Sequence, residues 1–134
     1  MSLIPLEQIQ SRIYILRDHK VMLDSDLASL YGVTTGNLNL AVRRNLKRFP
    51  EDFMFQLTPE ETELLILQSA RSNFWGGRRH KPFVFTRDGV SMLSSILRSE
   101  RAIQVNISIM RAFGRFQELV ATHKELARKL DELE

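Results

Sequence analysis

The stretch DSDLASLYGVTTGNLNLAVRRN, Asp24 to Asn45, decides how the rest of the chain is read. Counted from Asp24, Leu27 is fourth, Ala28 fifth, Tyr31 eighth, Gly32 ninth, Val33 tenth, Leu38 fifteenth and Ala41 eighteenth. A small residue at the fifth place lets two helices cross closely. Glycine at the ninth gives a tight turn with positive φ, and the apolar places lock the crossing angle. The series predicts a helix-turn-helix. Asp24 is expected to cap a first helix that ends near Tyr31, with Gly32 as its stop. A second helix is expected from Thr34 or Thr35 to about Leu46.

On that second helix Leu38, Ala41, Val42 and Asn45 recur at helical spacing and are assigned inward. The opposite side then presents Thr35, Asn37, Asn39, Arg43, Arg44, Lys47 and Arg48. Asparagine can hydrogen-bond the adenine edge at two places and arginine the guanine edge. Cations toward the C-terminal end suit phosphates, which fix register without reading bases. The competing reading leaves Asn37 and Asn39 merely solvated and pairs the arginines with Glu51, Asp52 or Glu60.

Outward from this stretch, Ile13 to Leu16 and Val21 to Leu23 read as strands of a hairpin around an Arg17-Asp18-His19-Lys20 turn. Phe53 to Leu57 alternates as a half-buried strand does. Thr58-Pro59-Glu60-Glu61 is a helix start, with an N-cap threonine, proline at the first helical position and glutamate three residues after the cap. That helix is expected to carry Leu64, Leu65 and Leu67. Phe83-Val84-Phe85 is another strand, and Thr86 caps a helix to about Arg98. Glu100 to Glu134 reads as one long helix with a possible kink at Gly114. Helices alternating with a few short strands give an α+β fold: a helix-turn-helix-containing domain with a small antiparallel sheet and a long C-terminal helix.

The 134 residues, 43% hydrophobic and 26% charged, suit one soluble domain. The absence of cysteine removes disulfide scaffolds, thiol catalysis and thiolate zinc sites. No apolar run is long enough for a membrane helix, and the first ten residues lack a secretory pattern, so no membrane partner and a cytoplasmic, nucleoid-associated location are expected. Net charge is only +3, yet two segments free of acids concentrate the cations. Arg43, Arg44, Lys47 and Arg48 form one; Arg71, Arg78, Arg79 and Lys81 form the other. Such clustering suits a polyanion better than an evenly solvated surface.

In the second segment, Gly76 and Gly77 lie among the arginines, where bare backbone can approach a phosphate. Phe74 and Trp75 either anchor this loop in the core, the favoured reading, or stack on unpaired bases as in single-strand binders. Catalytic signatures are absent: no Gly-x-Ser-x-Gly, no phosphate-binding glycine-lysine loop and no His-Glu-x-x-His. No enzymatic activity, cofactor or metal is expected. Asp24 and Asp26, the one pair that could be imagined in a nuclease, are read as helix-start residues.

Five segments then recur in one order: LDSDLASLYGV (Leu23 to Val33), AVRRN (Ala41 to Asn45), RFPEDFMFQLTPEE (Arg48 to Glu61), WGGRRHKPFVFTRDGVSML (Trp75 to Leu93) and IMRAF (Ile109 to Phe113). Together they resemble the phage and prophage DNA-binding domain called ORF-six-N, a relative of KilA-N and of antirepressor N-terminal domains. The similarity spans about Ile9 to Phe116. It implies an α+β module that binds double-stranded DNA in transcriptional or antirepressor control, and it implies Arg43, Arg44, Arg48, Arg78 and Arg79 as DNA contacts. Asn37, Asn39, Lys47 and Lys81 rest on the helical-face and charge reading alone. A module that captures a second regulatory protein, or a single-stranded nucleic-acid binder, is the alternative.

The C-terminal helix keeps a seven-residue rhythm. Ile109, Phe116, His123 and Leu130 occupy one position and Ala112, Leu119, Leu126 and Leu133 the other. That spacing predicts a coiled coil and a homodimer through Phe116, Leu119, His123, Leu126, Leu130 and Leu133. His123 is read as a polar interruption that tunes register rather than as a metal ligand. The domain proper is placed at residues 1–116 and the coiled-coil start at 117–134.

Overall fold

The computed structural model describes residues 6–69 and 81–133. In order along the chain stand α1 (Leu6–Gln10), β1 (Tyr14–Leu16), β2 (His19–Leu23), α2 (Asp24–Tyr31), α3 (Thr35–Arg43), a 3-10 turn (Leu46–Arg48), β3 (Met54–Gln56), α4 (Pro59–Ser69), β4 (Phe83–Thr86), α5 (Arg87–Ile96) and α6 (Glu100–Glu132). The fold is α+β, as expected. Its sheet is antiparallel in the order β1-β2-β4-β3, with Met22 opposite Phe85 and Met54 also opposite Phe85.

Both faces of the sheet are covered, which is why its strands read as apolar runs rather than as clean alternation. Successive strand side chains point to opposite faces. Met22, Met54 and Phe85 therefore enter one cluster with Ile9, Leu27, Leu38, Val90, Leu93 and Ile109 from the helices. Val21, Leu23, Phe55 and Val84 enter the other, which Leu65 of α4 closes. Phe49 meets Phe85 edge-on at 5.9 Å. The short α1 was not foreseen; its Ile9 is fully buried, and it packs along α6.

Several local expectations change. The hairpin loop is only Arg17-Asp18, because His19 pairs with Leu16. Both loop residues are left-handed, with φ of 51° and 61°, the mirror-image turn that matches strand twist. Non-glycine residues there cost about 1–2 kcal/mol each. Tertiary contacts offset this at Arg17: Nε donates to Glu61 Oε2 at 2.6 Å and Nη2 to Oε1 at 2.8 Å, with the guanidinium 4.1 Å above the Phe55 ring. Leu64 and Leu67 are exposed, and only Leu65 of the three leucines expected from α4 is in the core. The expected long helix is present: α6 runs through Gly114 as one helix of 33 residues, about 50 Å long.

The start of α4 is as predicted. Thr58 N–H donates to Glu61 Oε1 at 2.9 Å, and Glu61 N–H donates to Thr58 Oγ1 at 3.1 Å. Hydrogen bonding by Arg17, helped by Thr58 and opposed by partial desolvation, lowers the Glu61 pKa from 4.5 to about 2. The sign follows: a depressed carboxyl pKa stabilises the fold fully above about 4.5, and that share is lost as pH falls toward about 2. The melting-temperature gap between wild type and Glu61→Gln is expected to narrow across that window; a gap constant through it contradicts the assignment.

Candidate functional site

Helices α2 and α3 meet through a turn built around Gly32, whose φ is 75°. Its N–H donates to Ser29 O at 3.3 Å and that of Val33 to Ala28 O at 3.0 Å, which satisfies the last carbonyls of α2. Arg101 of α6 donates from Nε to Leu30 O at 3.1 Å, and its side chain occupies the space a Cβ on Gly32 would need. Thr34 then caps α3, accepting from Asn37 N–H at 3.0 Å.

Leu38 and Val42 of α3 enter the core as predicted, but the helix sits about one residue out of the expected phase. Its buried side is Leu38, Asn39 and Val42 with Thr35 half-buried, while Ala41 and Asn45 are only half-buried. Asn39, expected on the outward face, is 6% exposed. Its Nδ2 donates to Asp24 Oδ2 at 3.0 Å, and the same oxygen accepts from Phe83 N–H at 3.2 Å. Asn39 is thus a buried tie between α3, the start of α2 and β4. That burial takes Asn39 out of the expected outward, base-facing set. Leu40 takes the outward place instead.

Asp24 is also not the cap of α2. Leu23 occupies that position, and Asp24 Oδ1 accepts from Ser25 N–H at 2.7 Å. Asp26 is buried against Arg12, whose Nη1 lies 2.7 Å from Oδ1. No group of residues able to hold a metal ion occurs among the described residues.

The second helix ends at Arg43 rather than near Leu46. Asn45 Nδ2 folds back onto Ala41 O at 2.8 Å, and the chain tightens into the 3-10 turn. Lys47 and Arg48 therefore stand on that turn. Arg48 Nη1 reaches Ser95 Oγ at 3.3 Å, and Arg98 Nε reaches Ser95 O, also at 3.3 Å. Sequence reasoning missed Arg98, since only the packing of α5 brings it beside Arg48. The outward surface is Asn37, Leu40, Arg43 and Arg44, continued by Lys47 and Arg48, all exposed. Among the described residues none of these four cations pairs with a carboxylate, so pairing with Glu51, Asp52 or Glu60 is not found.

Lys81 is exposed, and its carbonyl accepts from Gln56 Nε2 at 3.2 Å. Arg71, Arg78 and Arg79, with Phe74 and Trp75, lie outside the described residues. At the far end, α6 packs through Ala102, Val105, Ile109, Ala112 and Phe113. Phe116 is half-buried, and Leu119, His123, Leu126, Leu130 and Leu133 are exposed. No helix among the described residues is long and apolar enough to cross a membrane.

The family model of the ORF6N domain matches residues 11–96. No curated protein and no solved structure matches the chain.

Proposed function

The chain belongs to the ORF6N domain family, a phage-type regulatory family, and on that basis we propose that it binds double-stranded DNA sequence-specifically in phage-type transcriptional control. In this reading α2 and α3 act as a helix-turn-helix, with the outward side of α3 in the major groove. One observation carries it: Arg43, Arg44, Lys47 and Arg48 stand exposed and without acidic partners among the described residues, on one helix and the turn that prolongs it. Side chains left unneutralised in a row are suited to a row of phosphates. Of the second basic segment Lys81 is among the described residues and is exposed, and this proposal counts it with the same cations.

Binding to duplex oligonucleotides, followed by fluorescence anisotropy across a salt series, tests the reading. With roughly 5–8 phosphates neutralised per protomer, log K falls against log salt with a slope of about −4 to −7. Arg43→Ala and Arg44→Ala together shallow that slope by about 2 and weaken binding to every sequence. Asn37→Ala instead relaxes base preference. An unchanged slope in the doubly substituted protein refutes the assignment.

The second element of the proposal is a homodimer through α6. The apolar line that packs Ile109 and Ala112 into the core continues at the same seven-residue spacing through Leu119, Leu126, Leu130 and Leu133, which are bare. A matching helix covers such a line best. The dimer would offer two recognition helices to half-sites about 34–36 Å apart. Sedimentation equilibrium is expected to give a dimer that becomes a monomer on truncation after Gln117 and tightens in His123→Leu. Monomer alone at high micromolar concentration overturns it and turns attention to a second regulatory protein as occupant of that line.

A further inference from the structure

We propose that Leu40 reads the C5-methyl group of a thymine in the bound duplex, a selectivity that rests on the DNA-binding reading above. Helical residues advance 100° each. With Leu38, Asn39 and Val42 buried, Leu40 falls at the middle of the outward face, between Arg43 on one flank and Asn37 and Arg44 on the other. It is 43% exposed, the one large apolar side chain that α3 leaves exposed, and it stands among polar and cationic neighbours. Helical side chains lean toward the N-terminus, so Leu40 lies over the turn that contains Gly36. A Cβ built on Gly36 meets nothing within 4 Å. The helix therefore presents bare backbone beneath a single leucine, and no described residue stands against Gly36 at that point.

A leucine placed there needs an apolar partner. The floor of the major groove is otherwise hydrogen-bond donors and acceptors, and the thymine methyl is its apolar group. Asn37 lies one turn before Leu40 on the same ridge, and asparagine is suited to the N6 and N7 edge of adenine. The two residues together favour an A·T-containing step, with Leu40 on the methyl and Asn37 on the adenine. Arg43 and Arg44 flank the pair and grip the phosphate backbone.

The test uses the full chain and a duplex selected by the purified protein from random oligonucleotides, in which each thymine is replaced singly by deoxyuridine. The change removes one methyl and leaves base pairing intact. Burial of one methyl corresponds to about a fourfold change in affinity. Wild type is expected to lose about 3–10-fold at one thymine per half-site. Leu40→Ala is expected to bind thymine and uracil duplexes there within about twofold of each other, and to retain the wild-type thermal melt. Wild type that binds the selected duplex but ignores every uracil substitution overturns the methyl contact and leaves DNA binding standing. Leu40→Ala that weakens both duplexes while keeping the thymine preference also overturns it, since the methyl is then read elsewhere. If wild type binds no duplex at all, the DNA-binding reading itself falls, and this proposal with it.

Discussion

Gly89→Ala is expected to destabilise the domain by about 3–5 kcal/mol, which at this chain length lowers the melting temperature by roughly 10–20 °C. Helix propensity alone says the opposite, because alanine in place of a helical glycine gains about 1 kcal/mol. The packing reverses the sign. A Cβ on Gly89 would stand 1.9 Å from the carbonyl oxygen of Phe53 and 2.8 Å from its carbon. Those are backbone atoms, so no rotamer change relieves the clash. The same carbonyl accepts from Thr86 N–H at 3.0 Å, and Thr86 Oγ1 donates to Asp52 O at 2.7 Å. Moving Phe53 away therefore also breaks the junction of β3, β4 and α5. Moving α5 instead withdraws Val90 and Leu93, both fully buried, from the core. Gly36→Ala is the control: with open space around its Cβ, it should stabilise by up to about 1 kcal/mol. Urea unfolding of the two variants distinguishes them by sign, and a stabilised Gly89→Ala would show that the α5 junction is not as described.

Gly89 also shows where sequence reading stops. Several caps and the Gly32 turn were legible because they depend on neighbours in the chain. Thr86 does cap α5, Thr58 and Glu61 do form the reciprocal pair, and Gly32 does adopt positive φ. The closeness of Phe53 to Gly89 depends on strand pairing between distant segments, and no local pattern encodes it. The phase of α3 failed for a related reason. Sequence polarity puts an asparagine outside, but the buried carboxylate of Asp24 supplies Asn39 with a partner, so Asn39 goes in, and Leu40, to which the spacing assigns no face, comes out. Two asparagines two positions apart, Asn37 and Asn39, necessarily face different sides of a helix; that was the available signal. Leu64 and Leu67 failed because a leucine run gives no phase for a single-sided helix. The cationic residues were found from composition, whereas the end of α3 at Arg43 was not. Asn45 folding back on Ala41 ends the helix without glycine or proline.

Asp24→Ala is expected to cost about 3–5 kcal/mol, more than any substitution on the outward side of α3. The carboxylate is 1% exposed, and among its partners are Ser25 N–H at 2.7 Å, Asn39 Nδ2 at 3.0 Å and Phe83 N–H at 3.2 Å, all of which donate to it. Removing it strands donors from α3 and β4 in a site closed to water, and each unpaired buried group costs about 1–3 kcal/mol. Asn39→Ala removes one donor and leaves the carboxylate its backbone partners; Asn39 Oδ1 has no hydrogen-bond partner among the described residues. Its cost should be smaller, about 1–2 kcal/mol. Because the two residues share one hydrogen bond, the double substitution is expected to be less damaging than the sum of the singles. The functional consequence differs from that of a base-reading asparagine. At temperatures where Asn39→Ala is folded it should keep the sequence preference of wild type, whereas Asn37→Ala should lose it. Full additivity in urea unfolding, or a changed base preference in folded Asn39→Ala, would place Asn39 on the outer face after all and reverse the phase assigned to α3.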